Sequence, residues 1–213
     1  WNGRCNIMID LTETRGNYIW PKTDTRCYNY MMTHFDLPEQ ICKFVSDKKV
    51  CVQAGGNMGV YTKMYAEKFQ HVYTFEPEPL NFYCLNQNVT EPNVFKYQSC
   101  IGKDRKLVNL KIKEANRGKT HVSKTGFIPT LQIDDLGLNV CSLIHLDIEG
   151  FELFALQGAI QTIRTCKPVV VVEYFEKNAV RYGWTLEQLE SLLKQHGYKF
   201  EHNIEEERIY IPA

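Results

Sequence analysis

Short apolar runs alternate with amphipathic stretches along most of the chain. The runs that predict buried strands lie at residues 49–54, 71–75, 94–101, 141–146 and 169–172. Stretches with apolar residues three and four positions apart predict helices at 38–46, 58–69, 77–88, 151–164 and 185–196. Because strands that alternate with helices usually lie parallel, with helices on both faces of the sheet, the pattern predicts an α/β fold.

The end of the chain departs from this alternation. Thr185 and Gln188 have the spacing of a capping box at the start of the last predicted helix, and Gly197 is suited to its end. Two short alternating runs follow at 198–202 and 208–211, and they predict a closing antiparallel hairpin. The predicted sheet therefore has seven strands and is mainly parallel, with the antiparallel hairpin at its C-terminal end.

Two parts of the chain carry weaker patterns. Residues 1–33 are polar and aromatic with little periodicity, so we predict an N-terminal extension that packs onto the domain or closes over its site as a lid. Residues 34–213 then form the α/β domain. Residues 107–112 alternate and predict an edge strand or a hairpin, whereas 114–128 are polar and carry little signal. Because irregular segments often form binding surfaces, the extension and the 114–128 segment are expected to bind the substrate.

Length and charge limit the classes of function. The chain has 213 residues, which fits one domain with a buried core. Its 25 basic residues balance 25 acidic ones, and this argues against nucleic acid as a partner because such proteins usually carry excess positive charge. No run approaches the ~20 apolar residues of a membrane span, so no membrane partner is predicted.

Eight cysteines are spread along the chain without C-x-x-C pairs or zinc-finger spacing to histidine. Cys51 and Cys141 fall in or beside apolar strand patterns, where a thiol behaves as a small hydrophobic group. We therefore predict reduced cysteines in a cytoplasmic protein. Cys5 and Cys27 lie in the least patterned part of the chain and are the expected exceptions.

A glycine-rich turn follows the first predicted strand. Gly55, Gly56 and Gly59 allow the backbone to turn tightly and to approach a ligand closely. Their spacing, G-G-x-x-G, differs from the G-x-G-x-x-G that seats a pyrophosphate at a helix N-terminus. The turn therefore fits a ligand without a phosphate at this point, although by itself it is equally compatible with a purely structural connection.

Glu76 ends the second predicted strand and follows Gly55 by 21 residues. A carboxylate at this place in a nucleotide-binding sheet accepts hydrogen bonds from the ribose hydroxyls. The alternative is a surface or helix-capping residue, because Pro77, Glu78 and Pro79 follow. The turn and the glutamate together predict nucleoside binding.

Three carboxylates, on Asp147, Glu149 and Glu152, cluster where the fourth predicted strand leaves the sheet. Such groups act as a base, orient a hydroxyl or bind a metal, while acidic residues also stabilise a helix N-terminus. We favour the helix role for Glu152 and a functional role for Asp147. No ligand spacing requires a metal, so none is predicted.

Three stretches of the chain resemble the FkbM-type methyltransferases. Residues 50–62 (VCVQAGGNMGVYT) resemble the D-V-G-A-N-x-G-x-x-T motif of that family, and 72–89 resemble its E-P-x-P motif with the following helix. Residues 129–173, which contain D-I-E-G-F-E, resemble the remaining motifs. The resemblance covers 48–202 and implies a Rossmann-like fold, S-adenosylmethionine (SAM) as cofactor, and methyl transfer to a hydroxyl of a sugar or another small molecule.

The resemblance also implies roles for particular residues. Glu76 and Pro77 would hold the ribose, and Asp147 would face both the cofactor and the acceptor. The amino-acid end of SAM would be lined by Gln53, Gly55, Gly56, Asn57 and Gly59. The adenine would lie near Ser99, Cys100 and Ile101.

Asp147 is the first candidate for the base that removes the hydroxyl proton, and His145 is the second. Side chains two positions apart on a strand share a face of the sheet, so His145 would point the same way as Asp147 if the strand continued that far. We nevertheless favour a core position for His145. Glu149 and Glu173 are predicted to bind and orient the acceptor substrate.

Gln53 departs from the family pattern, which has an acid at this position. The change removes a charge that can pair with the ammonium group of SAM, so one alternative is a degenerate methyltransferase that serves as a binding or scaffold protein. A nicotinamide-dependent oxidoreductase is a second alternative, disfavoured by the glycine spacing and the closing hairpin. Ribose methylation of nucleic acid is disfavoured by the balanced charge.

Overall fold

The computed structural model describes Met8 and residues 10–213. Its strands are β1 Thr12–Arg15, β2 Tyr18–Pro21, β3 Val50–Ala54, β4 His71–Phe75, β5 Val94–Tyr97, β6 Cys100–Ile101, β7 Leu107–Lys111, β8 His121–Thr125, β9 Ile128–Leu131, β10 Leu143–Leu146, β11 Val169–Glu173, β12 Tyr198–Ile204 and β13 Glu207–Pro212. Its helices include α1 Cys27–Thr33, α2 Leu37–Ile41, α3 Val60–Ala66, α4 Pro79–Asn88, α5 Glu152–Gln157, α6 Ile160–Cys166, α7 Glu176–Arg181 and α8 Leu186–Gln195. Short 3-10 segments lie at Cys42–Phe44, Glu114–Lys119 and Ile133–Leu136.

A seven-stranded sheet forms the centre of the fold, in the order β12-β13-β11-β10-β3-β4-β5. The strands from β11 to β5 are parallel, and β13 pairs antiparallel with both β11 and β12. This arrangement confirms the predicted α/β fold and its C-terminal hairpin. The direction of strand addition reverses between β3 and β10, and such a switch point is where open parallel sheets bind their ligands.

The two faces of the sheet are covered by different parts of the chain. Neighbouring residues of a strand point to opposite faces, so Cys51 packs with the N-terminal segment and α1 to α4, whereas Val52 packs with α5 to α8. All 5 residues of β3 are buried. Because both faces need apolar contacts, the central strands are continuous apolar runs in the sequence.

The helix predicted over 151–164 is in fact two helices, α5 and α6, which meet at Gly158. A side chain on Gly158 would place a Cβ atom 2.2 Å from the carbonyl oxygen of Gly102, so the backbones are in direct contact here. Asp134 accepts two N–H groups in the first turn of α6, at 2.9 and 2.8 Å, and caps that helix. The apolar periodicity continues across the break, which is why the sequence pattern does not reveal it.

A second sheet, in the order β6-β9-β7-β8, lies outside the predicted pattern. The run over 94–101 is divided between β5, in the central sheet, and β6, in this second sheet. Strand β7 matches the edge strand or hairpin predicted at 107–112, and β8 lies within 114–128, where no element was predicted. The last three residues of β8 are exposed, so they carry no apolar pattern that would indicate a strand. Helix α7 was not predicted either.

The described part of the N-terminal extension packs onto the domain. The side-chain amide of Asn88 accepts the N–H of Ile19 at 2.7 Å, and it donates to the carbonyls of Ile19 and Met58 at 2.9 and 2.8 Å. Trp20 is fully buried, and its indole donates to Asp24 at 2.6 Å. Closure of this segment over the site stays a prediction.

The cysteines from Cys27 onward are free thiols, and all of them except Cys166 are buried. Cys27 is therefore no exception to the predicted reduced state, and Cys5 lies outside the described residues. Over the described ranges, no helix combines the length and the apolar character needed to cross a membrane.

We expect Asn88→Ala to lower the free energy of unfolding by about 2–4 kcal/mol, because it leaves buried backbone groups of Ile19 and Met58 without partners. Urea unfolding monitored by circular dichroism measures this change. Gln87→Ala, at the exposed neighbouring position on α4, is the control and should change the stability by less than about 0.5 kcal/mol. Equal losses in the two variants would contradict the role assigned to Asn88.

Candidate active site

A cavity of about 370 Å³ opens at the carboxyl ends of β3, β4, β10 and β11. It therefore lies beside the switch point in strand order. The strand ends contribute Gly55, Glu76, Asp147 and Glu173 to its wall. Further walls come from α1, from α7 and from residues within 113–122.

The turn after β3 is held directly against the end of β10. Gly55 has a φ of +91°, and a Cβ atom on it would lie 1.9 Å from the backbone oxygen of Asp147, so a residue with a side chain does not fit. The N–H groups of Gly55 and Gly56 donate to the carbonyl of Phe75 at 3.0 and 2.9 Å. Asn57 follows with a φ of 50°, a left-handed conformation that costs energy and is concentrated at functional sites.

Glu76 lies in the cavity wall at the end of β4. Its Oε2 accepts the N–H of Asn57 at 2.8 Å, and its Oε1 accepts the N–H of Glu78 at 2.9 Å. Burial raises the pKa of the Glu76 carboxyl to about 8, although these hydrogen bonds act in the opposite direction. The side chain of Asn81 also donates to this carboxyl, which leaves it one position at which it can accept a hydrogen bond from a ligand hydroxyl.

Four oxygen atoms in the cavity wall have no hydrogen-bond partner within the described chain. They are Oδ1 of Asn57, Oδ1 of Asn81, Oγ of Ser99 and Oγ1 of Thr120. Asn81 is 1% exposed and Ser99 is 3% exposed. Because an unsatisfied buried polar atom costs about 1–3 kcal/mol, these atoms are suited to bind a ligand that supplies the missing partners. Together with Glu76 they fit a ligand that is rich in hydroxyl and amino groups, such as a nucleoside.

The predicted site residues fall into two groups. Those that line the cavity are Gly55, Asn57, Glu76, Pro77, Ser99, Cys100, Ile101, Asp147, Glu149 and Glu173. The cavity wall does not include Gln53, Gly56, Gly59 or His145. A Cβ atom on Gly56 or Gly59 would lie 2.6 Å from the side chain of Leu85 or Val89, so these two glycines allow the turn to pack closely against α4.

Gln53 is a buried hydrogen-bonding residue of the core. Its Oε1 accepts from the hydroxyls of Thr62 and Thr74 at 2.7 and 3.1 Å. Its Nε2 donates to the carbonyl of Gly55 at 3.4 Å. The amide thus connects β3 with α3 and β4, and the replacement of an acid by Gln53 changes the core instead of the cavity wall.

His145 also occupies the core position that we favoured for it. Its Nδ1 is hydrogen-bonded to the hydroxyl of Tyr65 at 2.9 Å, and its Nε2 lies 3.4 Å from the carboxylate of Glu207. The side chain is 1% exposed. Strand β10 ends at Leu146, so Asp147 no longer follows the alternation of the strand and reaches the cavity where His145 does not. We therefore do not assign His145 as a base.

Asp147 and Glu173 form a carboxyl pair at the ends of neighbouring strands, and their side chains share a hydrogen bond. Burial raises the pKa of Asp147 to about 7, and the charges of Glu207 and Glu149 add to this effect. Burial and the charge of Asp147 raise the pKa of Glu173 well above its ordinary value. Two carboxyls this close do not readily ionise together, so the pair holds a proton near neutral pH.

Contacts from α7 fix the loop that carries Glu149. The Glu149 backbone is left-handed, with a φ of 57°. Its Oε2 accepts from the amide of Asn178 at 2.9 Å, and its backbone oxygen accepts from Arg181 at 2.9 Å. Burial raises the pKa of the Glu149 carboxyl. Glu152, the first residue of α5, instead accepts the backbone N–H groups of Ile148 and Gly150 at 3.0 Å and so holds the loop before the helix. The helix-terminal role favoured for it stays a prediction.

Part of the cavity wall could not be identified from the sequence. Tyr30, Asn81 and Arg117 line it from three different elements. Arg117 forms a buried ion pair with Glu78, with Nη1 2.9 Å from Oε2, and its backbone N–H donates to Asp24 at 3.2 Å. Asn81 lies in the motif stretch at 72–89, but the motif assigned it no role. No motif contains Tyr30 or Arg117, and only the expectation that irregular segments form binding surfaces indicates these two residues. Among the residues that the structure describes, no cluster of His, Cys, Asp and Glu fits a metal site.

A family model described as the methyltransferase FkbM domain matches residues 53–200. No curated protein matches the chain.

The comparison with solved structures found several that are similar to this chain. The methyltransferase FkbM of Methylobacillus flagellatus KT is 18% identical, with 78% of this chain and 43% of that chain covered and a TM-score of 0.49. A second similar chain comes from a Haloferax volcanii complex between the Trm112 methyltransferase activator and a methyltransferase. It is 9% identical, with 83% of this chain and 74% of that chain covered and a TM-score of 0.50. A SAM-dependent methyltransferase from Aquifex aeolicus is 12% identical, with 84% and 92% covered and a TM-score of 0.49. The chain thus spans less than half of the Methylobacillus protein, and at these identities the likeness concerns the fold alone.

The buried carboxyl of Asp147 makes stability depend on pH. The folded protein holds this proton up to about pH 7, whereas the ordinary pKa is 3.8, so between these values the native state loses stability as the pH rises. Asp147→Asn is therefore expected to raise the free energy of unfolding at pH 8 by about 1–4 kcal/mol and to raise it by less than half as much at pH 5, where most of the pH range between the two pKa values has not yet been crossed. Urea unfolding at both pH values measures the difference, with the exposed Asp104→Asn as control. A gain of the same size at pH 5 and pH 8 would show that the charge of Asp147 is not the cause.

Proposed function

We propose that this chain, which belongs to the FkbM methyltransferase family, transfers a methyl group from SAM to a hydroxyl of a small molecule such as a sugar. The observation that carries the proposal is the composition of one cavity. It combines a nucleoside-type wall, made of Glu76 and the unpaired polar atoms of Asn81 and Ser99, with the carboxyl pair of Asp147 and Glu173.

The residues of the cavity fit SAM. Glu76 retains a position that can accept from a ribose hydroxyl, and Ser99 with its neighbours offers a polar atom beside apolar surface for the adenine. Asn57 and the turn after β3 would hold the amino-acid end. When bound, SAM supplies a methyl group on a positively charged sulfur, which is an electrophile that needs no further activation.

The protein then has to position the acceptor and take up a proton. The Asp147 carboxylate would accept the proton of the acceptor hydroxyl while the hydroxyl oxygen forms its bond to the methyl carbon. The carbon–sulfur bond would break at the same time, with its electron pair left on the neutral thioether sulfur of the demethylated cofactor. Because burial raises the pKa of Asp147 to about 7, the ionised form is both available and basic near neutral pH. Glu173 shares a hydrogen bond with Asp147 and orients it.

The position of Gln53 favours an active enzyme over a degenerate scaffold. Its side chain is bonded to Thr62 and Thr74 in the core, so the substitution removes no group from the cavity wall. The spacing of the glycine turn and the antiparallel β13 likewise favour SAM over a nicotinamide cofactor.

We expect Glu76→Gln to weaken the binding of SAM and of its demethylated product by about threefold to tenfold, because the amide has one acceptor oxygen where the carboxyl has two, and a hydrogen bond contributes about 0.5–1.5 kcal/mol. Isothermal titration calorimetry with both ligands measures the change. Glu67→Gln, at an exposed position on the domain surface, is the matched control and should bind as the unmodified protein does. Failure of the unmodified protein to bind either ligand would refute SAM as cofactor, and equal affinities in all three proteins would refute the role of Glu76.

Asp147→Asn is expected to lower the turnover of an acceptor by about 10²- to 10⁴-fold while the affinity for SAM stays within about threefold. The rate for the unmodified protein should rise with pH through about 7, as the base ionises, and then level off. Transfer of labelled methyl to a panel of sugars, followed by a pH–rate profile on the best acceptor, measures both effects. Unchanged turnover in a folded Asp147→Asn variant would show that another group takes the proton.

A further inference from the structure

Four exposed basic side chains line one part of the same cavity. Lys113 and Lys119 belong to the segment around the 3-10 turn at 114–119, and Lys177 and Arg181 belong to α7. We call these four residues the basic rim. Over the described ranges of the chain, none of them forms an ion pair with a carboxylate.

The fold brings the charges of the basic rim close to one another. Burial raises the pKa of Glu149, while Lys119, Arg181 and Lys177 each act to lower it. Burial lowers the pKa of His121, which also lines the cavity, and Arg181 and Lys113 lower it further. Positive charges from the 3-10 segment and from α7 therefore act on the same side chains of the cavity.

The contacts of Arg181 do not neutralise its charge. Its Nη1 donates to the backbone oxygen of Glu149 at 2.9 Å, and its Nη2 donates to the side-chain oxygen of Asn178 at 3.1 Å. Both acceptors are uncharged. The guanidinium is thus held in a fixed position with its charge unmatched, as in sites that bind phosphate or carboxylate groups.

The acids of the cavity compensate only part of this positive charge. Burial raises the pKa of Glu76 to about 8 and that of Asp147 to about 7, and it raises those of Glu149 and Glu173 as well. SAM itself carries a sulfonium, an ammonium and one carboxylate, so it adds net positive charge. A neutral acceptor would leave the basic rim without a counter-charge.

We propose that the methyl acceptor carries an oxyanion group, a phosphate, sulfate or carboxylate, which the basic rim binds while the acceptor hydroxyl lies at Asp147. This inference rests on the proposed methyl transfer and adds the chemical class of the substrate. It makes the acceptor a hydroxylated small-molecule anion instead of a neutral sugar.

The two halves of the basic rim have different neighbours. A Cβ atom on Gly118 would lie 3.3 Å from Nδ2 of Asn57, so the 3-10 turn also borders the amino-acid end of SAM. Helix α7 follows β11, whose last residue is Glu173 of the carboxyl pair. The acceptor anion is therefore assigned chiefly to Lys177 and Arg181, and the test must separate it from the carboxylate of SAM.

The first experiment measures anion binding without turnover. The protein is saturated with the demethylated cofactor product, and inorganic phosphate, sulfate and acetate are then titrated while amide NMR shifts are recorded. We expect at least one anion to bind, and Lys177→Gln to weaken it by about threefold to tenfold with unchanged affinity for the cofactor product. Lys124→Gln, which removes an exposed charge from β8 outside this cavity, is the control and should bind the anion normally. Arg181→Lys, which keeps the charge, should bind more strongly than Arg181→Gln.

The second experiment identifies the source of the anion by turnover. Glucose, glucose 6-phosphate, glucose 6-sulfate and glucuronate are compared as methyl acceptors with labelled SAM. A preference for one anionic member that is lost in Lys177→Gln supports the proposal.

Four results would overturn it: no anion binding to the product-saturated protein, equal binding in Lys177→Gln, equal or better methylation of glucose, or far tighter binding of a short RNA than of phosphate. Failure of the proposed methyl transfer would be seen separately, as absence of SAM binding in the calorimetric experiment.

Discussion

The contact between Gly55 and the backbone oxygen of Asp147 is the constraint on which the site depends. It brings the end of β3, which begins one half of the sheet, against the end of β10, which begins the other half. The first half contributes Asn57 and Glu76, which line the part of the cavity assigned to the cofactor. The second half contributes the carboxyl pair of Asp147 and Glu173. A side chain at residue 55 would separate the two halves where their chemistry must meet, so the glycine is required by close approach as well as by its positive φ.

Burial of charge is the second feature that unites the structure. Glu76, Asp147 and Glu173 lie at strand ends, and burial raises the pKa of each. This costs folding free energy, as is common where acids and bases are tuned for a reaction. The same burial keeps a proton within the carboxyl pair near neutral pH. Because the acids then carry less negative charge, the positive charge of the exposed basic rim is not balanced. The proposed acid–base chemistry and the proposed anion binding thus have the same physical cause.

The core and the site also share their polar contacts. Gln53 and His145 sit on strands that lead to the cavity, yet their hydrogen bonds to Thr62, Thr74 and Tyr65 stabilise the packing of α3 on the sheet. The site is in this way supported by polar groups that never reach it. This separation explains how glutamine at position 53 is compatible with an intact cavity wall.

The sequence by itself determined the order of the central elements, the closing hairpin, the capping box of α8 and the strand-end residues Gly55, Glu76 and Asp147. These features depend on local periodicity, on turn chemistry or on a motif, and all three signals come from residues that are close together in the sequence. Only the tertiary structure decided the break at Gly158, the small second sheet, the core position of His145 and the basic rim. These depend on contacts between residues far apart in the chain, or on exposed positions where many residue types are tolerated. No pattern of neighbouring residues records such contacts.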